Sequence, residues 1–145
     1  MTDMKTAYAS RKGQTLIEFA LIMPLLLVLA FGIIEFGIFL YNQQVITNAS
    51  REGVRHGIVA RIPRVPISGT DSINTVVQTY CANHLRTFAA QNIPVVQVTG
   101  YDPNALFGAN LTVTVTYNYT FILSRPFTPK DRTKTLVATT VMKYE

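Results

Sequence analysis

A long uncharged apolar run near the N-terminus dominates the hydropathy pattern of the chain. Residues 19–34 contain no charged side chain, and apolar residues continue beyond Glu35 as far as Tyr41. The stretch Leu16–Tyr41 has 26 residues, which form about 39 Å of α-helix. Because the hydrocarbon core of a bilayer is about 30 Å thick, this stretch predicts one tilted membrane-spanning helix.

A cleaved secretory signal is the main alternative to a retained span. Such a signal has an apolar region of about 7–15 residues followed by a cleavage site between small residues. Here the apolar run is longer and passes directly into an amphipathic helical pattern, which favours retention. Lys5, Arg11 and Lys12 precede the span, and the next basic residue, Arg51, lies ten residues beyond Tyr41. The positive-inside bias therefore predicts a cytoplasmic N-terminus.

The amphipathic pattern after the span predicts that the helix continues to about Ala60. Small residues recur at four-residue spacing, at Ala49, Gly53 and Gly57, and predict close packing of this helix against another element. Pro63 and Pro66 then mark a linker. A second helix is predicted from Ser72 to Asn92, and Pro94 stops it. Its predicted apolar stripe consists of Ile73, Val76, Val77, Tyr80, His84 and Phe88.

Three strand patterns follow, at Val95–Tyr101, Leu111–Phe121 and Thr135–Tyr144. The middle one alternates regularly between apolar residues on one face and mostly threonine on the other. The predicted fold class is α+β: a long N-terminal transmembrane helix is followed by a small pilin-like domain, in which one helix packs on a three-stranded antiparallel sheet. The threonine face has two interpretations, a solvated surface or a contact with a neighbouring subunit.

Composition and charge argue against some classes of function but do not identify a reaction. Charged residues make up 14% of the chain, against about 25% in typical soluble domains. The net charge of +5 comes from scattered basic residues rather than a basic block, which argues against nucleic-acid binding. The lone cysteine, Cys81, excludes an intrachain disulfide; we expect it to be buried, with an interchain disulfide as the alternative. No catalytic or metal-binding motif is present, so we expect no enzyme, no cofactor and no metal.

Several residues within the apolar run need a physical reason for being there. Glu18 and Glu35 are ionisable groups at membrane depth, which reach the interface or meet a partner. Pro24 removes a backbone donor and predicts a kink. Gly32 and Gly37 allow another helix to approach closely.

The segment Gly13-Gln14-Thr15-Leu16-Ile17-Glu18-Phe19 follows the basic pair Arg11-Lys12 and opens the apolar run. A glycine followed five residues later by glutamate and then an aromatic residue resembles the prepilin processing pattern of tight-adherence (Flp/Tad) pili. The longer stretch from Gly13 to about Arg55, including the GIIEFG pattern, is similar to the TadE-like family of minor pilins or pseudopilins, and the ending LVATTVMKYE is also similar.

This resemblance implies a processing site and an assembly site. A prepilin peptidase would cut between Gly13 and Gln14 at the cytoplasmic face, and Glu18, followed by Phe19, would then neutralise the new N-terminal amine of a neighbouring subunit. The implied organisation is a leader over residues 1–13, a transmembrane and amphipathic helix over 14–60, a linker over 61–69 and a small α+β domain over 70–145. The polar Gln14 departs from the pilin pattern, and an uncleaved anchor remains the alternative to processing.

The resemblance implies a structural role in assembly of a tight-adherence pilus, and through it in surface adhesion and biofilm formation. The implied location is the bacterial inner membrane, with the N-terminus cytoplasmic and the C-terminal domain periplasmic. A second implied location is the pilus at the cell surface. The implied partners are membrane lipid, the prepilin peptidase, other pilins or pseudopilins and the pilus assembly machinery. The alternatives are a bitopic membrane protein whose binding domain never enters a filament, a major pilin and an envelope enzyme.

Overall fold

The structure, a computed structural model, describes the backbone of residues 3–59, 69–88, 92–102, 108–122 and 133–144, with side chains from residue 13 in the first helix and from 72 in the second. The elements are α1 (Asp3–Ile58), α2 (Gly69–His84), β1 (Val95–Thr99), β2 (Asn110–Thr120) and β3 (Thr133–Lys143). The predicted α+β fold class is confirmed. The predicted linker lies almost wholly outside the described residues.

The chain divides into two compact units, Met1–Phe36 and Gly37–Glu145. The first is a single helical segment, and its described apolar side chains are exposed, for example Leu25 at 70% and Leu29 at 61%. The second contains the rest of α1 together with α2 and the sheet. The proposed division into leader, anchor, linker and domain stays a prediction, but the compact unit already begins at Gly37.

The sheet is an antiparallel meander with the order β1-β2-β3. β2 is central, pairing Val96 with Val115 on one side and Val115 with Ala138 on the other. The strict alternation of β2 produces one face whose side chains are fully buried, because successive side chains point to opposite faces of a sheet. The buried side chains of β2 are Leu111, Val113, Val115, Tyr117 and Tyr119.

The outer face of the sheet is rich in threonine and valine. Thr114 and Thr139 pair across the strands with their hydroxyl oxygens 3.0 Å apart, and Thr135 donates a hydrogen bond to Asn118. Val137 and Val141 on the same face are about half exposed. Both interpretations of this face, a solvated surface and a subunit contact, stay open.

The second half of α1 packs on the buried sheet face beside α2. A Cβ atom added at Gly53 would lie 2.5 Å from Val77 Cγ2, and one added at Gly57 would collide with Leu111 and Ile73. The predicted small-residue stripe is therefore the place where α1 approaches both α2 and β2. Glycine suits these positions because a larger side chain would push the elements apart.

The predicted extent of α2 is wrong at its C-terminal end, because the helix ends at His84 rather than Asn92. Leu85 still donates a backbone hydrogen bond to Cys81, but the N–H of Arg86 bonds to the side chain of Asn42 instead of continuing the helix. A tertiary hydrogen bond thus overrides a local sequence that favours helix.

The predicted apolar stripe of α2 is also partly wrong. The buried residues recur at a spacing of four and are Ile73, Val77, Cys81 and Leu85. Tyr80 is only half-buried, while His84 and Phe88 are exposed, with Phe88 at 59%. α2 is rotated relative to the prediction, and the face carrying His84 points away from the core.

Candidate membrane and assembly site

The predicted processing site lies within α1. Gly13 and Gln14 are both helical and exposed, and a Cβ atom added at Gly13 would meet nothing within 4 Å. A protease binds its substrate in an extended form, so cutting this bond requires local unwinding of the helix. Glycine makes unwinding easier, because it costs about 1 kcal/mol relative to alanine in a helix interior.

The predicted assembly carboxylate lies one helical turn after the processing site. The side-chain amide Nε2 of Gln14 donates a hydrogen bond of 3.2 Å to Oε1 of Glu18. Both side chains are exposed, and so is Phe19 at 61%. The carboxylate is therefore accessible to another chain, and Gln14, the departure from the pilin pattern, is the residue that contacts it within the subunit.

The remaining predicted packing residues have different surroundings. Pro24 lies inside α1, which is continuous from Asp3 to Ile58. Gly32 is half-buried, whereas Gly37 is exposed and has open space around it. Glu35 is 5% exposed, although Ile34 before it and Phe36 after it are about half exposed. The side chain of Glu35 is therefore buried, whereas that of Glu18 is exposed to solvent or lipid.

One helix among the described residues is long and apolar enough to cross a membrane. It covers Gly13–Ile58, and its most apolar window has no buried residue. The buried core helix of a soluble protein shows the opposite pattern, because its apolar residues are covered by protein. The exposed apolar surface of this helix therefore fits lipid or the helices of other subunits.

The features described so far could belong to any membrane helix, and a comparison with protein-family models tests whether they belong to a particular family. Residues 13–55 match the TadE-like protein family. The resemblance stated from the sequence is therefore confirmed for this TadE-like segment. No curated protein and no solved structure shows significant similarity to the chain.

The TadE-like segment starts at the predicted cleavage site and ends inside the compact unit. It contains all eight predicted site residues: Gly13, Gln14, Glu18, Phe19, Pro24, Gly32, Glu35 and Gly37. The match and the exposed apolar helix together support a membrane protein related to the Tad pilus. The segment also includes Asn42 and Gly53, which pack within the domain.

Asn42 is a site residue that the sequence analysis missed. It is fully buried, and its side-chain amide bonds to both backbone groups of Arg86: Nδ2 donates to the carbonyl oxygen at 2.5 Å, and Oδ1 accepts from the N–H at 3.0 Å. This pair of bonds ties α1 to the chain segment after α2. The only sequence signal was a strongly polar residue directly after the apolar run, and nothing in the pattern indicated Arg86 as its partner.

Cys81 is fully buried in the core, as predicted. Burial raises the pKa of its thiol from 9.0 to about 11, which disfavours the reactive thiolate at neutral pH. Burial, and secondly the neighbouring Cys81, raise the pKa of Tyr117. An interchain disulfide through Cys81 would require the domain to open.

The two histidines have structural surroundings. His56 Nε2 lies 3.0 Å from the hydroxyl of Ser72 and links α1 to α2. The ring of His84 stacks on Tyr80 with centroids 4.3 Å apart, and its Nδ1 donates to the Tyr80 carbonyl oxygen. Among the residues that the structure describes, no three His, Cys, Asp or Glu side chains are grouped to hold a metal ion.

Proposed function

We propose that the protein is a minor pilin or pseudopilin of a tight-adherence pilus, held in the inner membrane by α1 with its N-terminus in the cytoplasm. The observation that carries the proposal is that the TadE-like segment contains an exposed apolar run, residues 19–34, bounded by the acids Glu18 and Glu35. Through pilus assembly, the protein would support surface adhesion and biofilm formation. The expectation that it is not an enzyme rests on the sequence patterns.

Fractionation of the producing cells tests this role directly. Sheared surface filaments and inner membranes are separated, and peptides of the protein are quantified in each by mass spectrometry. A minor pilin is expected in both fractions, and a pseudopilin that remains at the base is expected in the membrane with loss of filaments when its gene is deleted. Unchanged filaments in the deletion strain would contradict both roles and favour a bitopic protein with a separate binding domain.

We further propose that a prepilin peptidase cuts between Gly13 and Gln14. Support comes from the glycine at a helical, exposed position directly before Gln14 and from the basic pair preceding it. Intact-mass analysis should show a mature chain starting at Gln14, and Gly13→Ala should leave the full-length chain. Gly37→Ala is the matched control, because Gly37 is another exposed glycine in the same helix with open space around it. A full-length mass in cells that contain the peptidase would refute processing.

The proposed role of Glu18 is to pair with the N-terminal ammonium of a neighbouring subunit after processing. A carboxylate and an ammonium in lipid each lose hydration, and close pairing offsets that loss, so the pair selects one register between subunits. Cleavage would place the new ammonium on Gln14, whose side chain already contacts Glu18 within one subunit.

Glu18→Gln tests this pairing, because the substitution keeps the size of the side chain and removes its charge. The variant should enter the membrane at the wild-type level and fail to support filament assembly. Glu52→Gln, the same change at an exposed position of α1 beyond the apolar run, is the control and should assemble normally. Normal filaments with Glu18→Gln would exclude the charge pair as the register device.

A further inference from the structure

Three aromatic side chains form a cluster at one end of the compact unit. The ring of Phe39 lies 5.7 Å from that of Tyr119 and 5.5 Å from that of Phe121, and the rings of Tyr119 and Phe121 are 5.0 Å apart. Phe39 lies three residues after the end of the first unit, a rise of about 4.5 Å along the helix. This aromatic cluster (Phe39, Tyr119 and Phe121) therefore lies at the end of the second unit where its own part of α1 begins, called the entry end below.

Exposed apolar side chains directly follow two members of the aromatic cluster in the sequence. Leu40 and Tyr41, which follow Phe39, are 49% and 46% exposed, and Ile122, which follows Phe121, is 38% exposed. Lys134, the β3 partner of Tyr119, is exposed as well. The opposite end of the sheet differs, because the terminal pair there is Asn110 with Lys143. The described residues at the entry end thus include aromatic rings, aliphatic surface and the cation of Lys134.

The length of the exposed apolar helix indicates where the bilayer ends. Leu16–Ile34 has 19 residues, all of them exposed except the half-buried Gly32, and spans about 28 Å. This length nearly matches the hydrocarbon core of about 30 Å. Placing Leu16–Ile34 in the hydrocarbon core, rather than the whole predicted stretch Leu16–Tyr41, would put residues 39–41 at the level of the lipid headgroups. Aromatic side chains with an apolar ring and a polar tip, such as Tyr41, concentrate in that layer.

We propose that the entry end of the domain rests in the headgroup layer of the bilayer that holds α1. Its lipid-facing side chains are Tyr41, Ile122 and the half-buried Phe39 and Phe121, which pack on the buried Tyr119. The contact is continuous with the membrane span, its occupant is phospholipid, and Lys134 offers a positive charge to the phosphate groups. The domain then has a second membrane contact besides its helix. The inference rests on the proposed membrane insertion of α1.

The chain contains no tryptophan, so single-tryptophan variants report depth without a background signal. Ile122→Trp reports the entry end, and Val141→Trp is the matched control at another exposed aliphatic position, 53% exposed. Val141 pairs with Thr112, eight residues along β2 from Thr120, or roughly 27 Å away. Leu29→Trp reports insertion of the span.

The full-length variants are reconstituted in vesicles of phosphatidylcholine and phosphatidylglycerol. The lipids carry bromine, which quenches nearby tryptophan emission, either near the carbonyl groups or near the acyl chain ends.

The proposal predicts that Ile122→Trp emission is blue-shifted relative to Val141→Trp and is quenched more by bromine near the carbonyl groups than near the chain ends. Leu29→Trp should show the reverse order, and Val141→Trp should be quenched by neither lipid. If Leu29→Trp is quenched while Ile122→Trp behaves like Val141→Trp, the docking proposal is overturned and insertion stands. If Leu29→Trp is not quenched, membrane insertion fails and the docking proposal fails with it. Equal thermal unfolding of Ile122→Trp and Val141→Trp verifies that the domain is intact.

Discussion

Replacing Gly53 by alanine tests the close approach of α1 and α2. The added methyl carbon would lie 2.5 Å from Val77 Cγ2, 3.4 Å from Ile73 Cγ2 and 3.5 Å from Val113 Cγ1. Ordinary carbon–carbon contacts are about 3.5–4.0 Å, so Val77 must move by about 1 Å. Valine has little freedom to do so, because its branched side chain favours one rotamer in a helix. The other two neighbours already lie at ordinary contact distance from the added carbon.

The expected free-energy change combines two opposing effects. Overpacking a well-packed core costs about 1–3 kcal/mol, while alanine improves helix propensity over glycine by about 1 kcal/mol. Gly37→Ala separates the two effects, because an added Cβ there meets nothing within 4 Å. Gly53→Ala should therefore be less stable than Gly37→Ala by about 1–3 kcal/mol, the cost of overpacking alone.

Thermal unfolding of the full-length variants in the same detergent, followed by circular dichroism, measures this difference. A change of 1 kcal/mol shifts the Tm of a domain of this size by roughly 4–8 °C. Equal Tm values for Gly53→Ala and Gly37→Ala would refute the close approach. The added variant Val77→Ala removes the colliding methyl groups, so Gly53→Ala should cost less in that background than in the wild-type chain.

Three further predictions concern the domain. Asn42→Leu keeps the side-chain size but removes both bonds to Arg86. Because each of the two backbone groups left without a partner costs about 1–3 kcal/mol, the free energy of unfolding in denaturant titrations should fall by about 2–6 kcal/mol. The folded chain keeps the Cys81 proton up to about pH 11, whereas the unfolded chain releases it near pH 9.0. The free energy of unfolding should therefore fall as pH rises between these values. Cys81→Ala should show a shallower fall, and an unchanged slope would contradict the pKa shift. Gly100→Ala forces a side chain into a φ of +79° and against the carbonyl oxygen of Asn110, and should lower Tm more than Gly37→Ala does.

The sequence patterns predicted those elements whose residues alternate without ambiguity. The sequence pattern predicts β2 at Leu111–Phe121, and the strand is observed at Asn110–Thr120. The prediction succeeds because an apolar residue at every second position, with threonine between, fits a strand with one buried face and does not fit a helix. The membrane helix was equally clear from an apolar run that no domain of this size could bury. Both patterns lie within one continuous stretch of residues, so each element can be predicted without knowing which distant residues it contacts.

The features that could not be predicted depend on contacts between distant residues. Two overlapping stripes run along α2, one through Val77 and Cys81 and the other through Val76 and Tyr80, and both suit a helix packed on a sheet. The close contact of α1 with α2 at Gly53 favours the first, because Val77 lies against that glycine. The end of α2 at His84 depends likewise on a bond from Asn42, 44 residues earlier than Arg86.

The TadE-like segment crosses the boundary between two physical environments, and this explains its mixed composition. From Phe19 to Ile34 its side chains are apolar and, apart from the half-buried Gly32, exposed, which favours lipid and neighbouring helices. From Asn42 onward, the same helix uses buried polar and small residues that hold the domain together. Substitutions in the two parts should therefore separate by phenotype. Changes at Glu18 should impair assembly in a folded protein, whereas changes at Asn42 or Gly53 should impair assembly only in proportion to the stability that the domain loses.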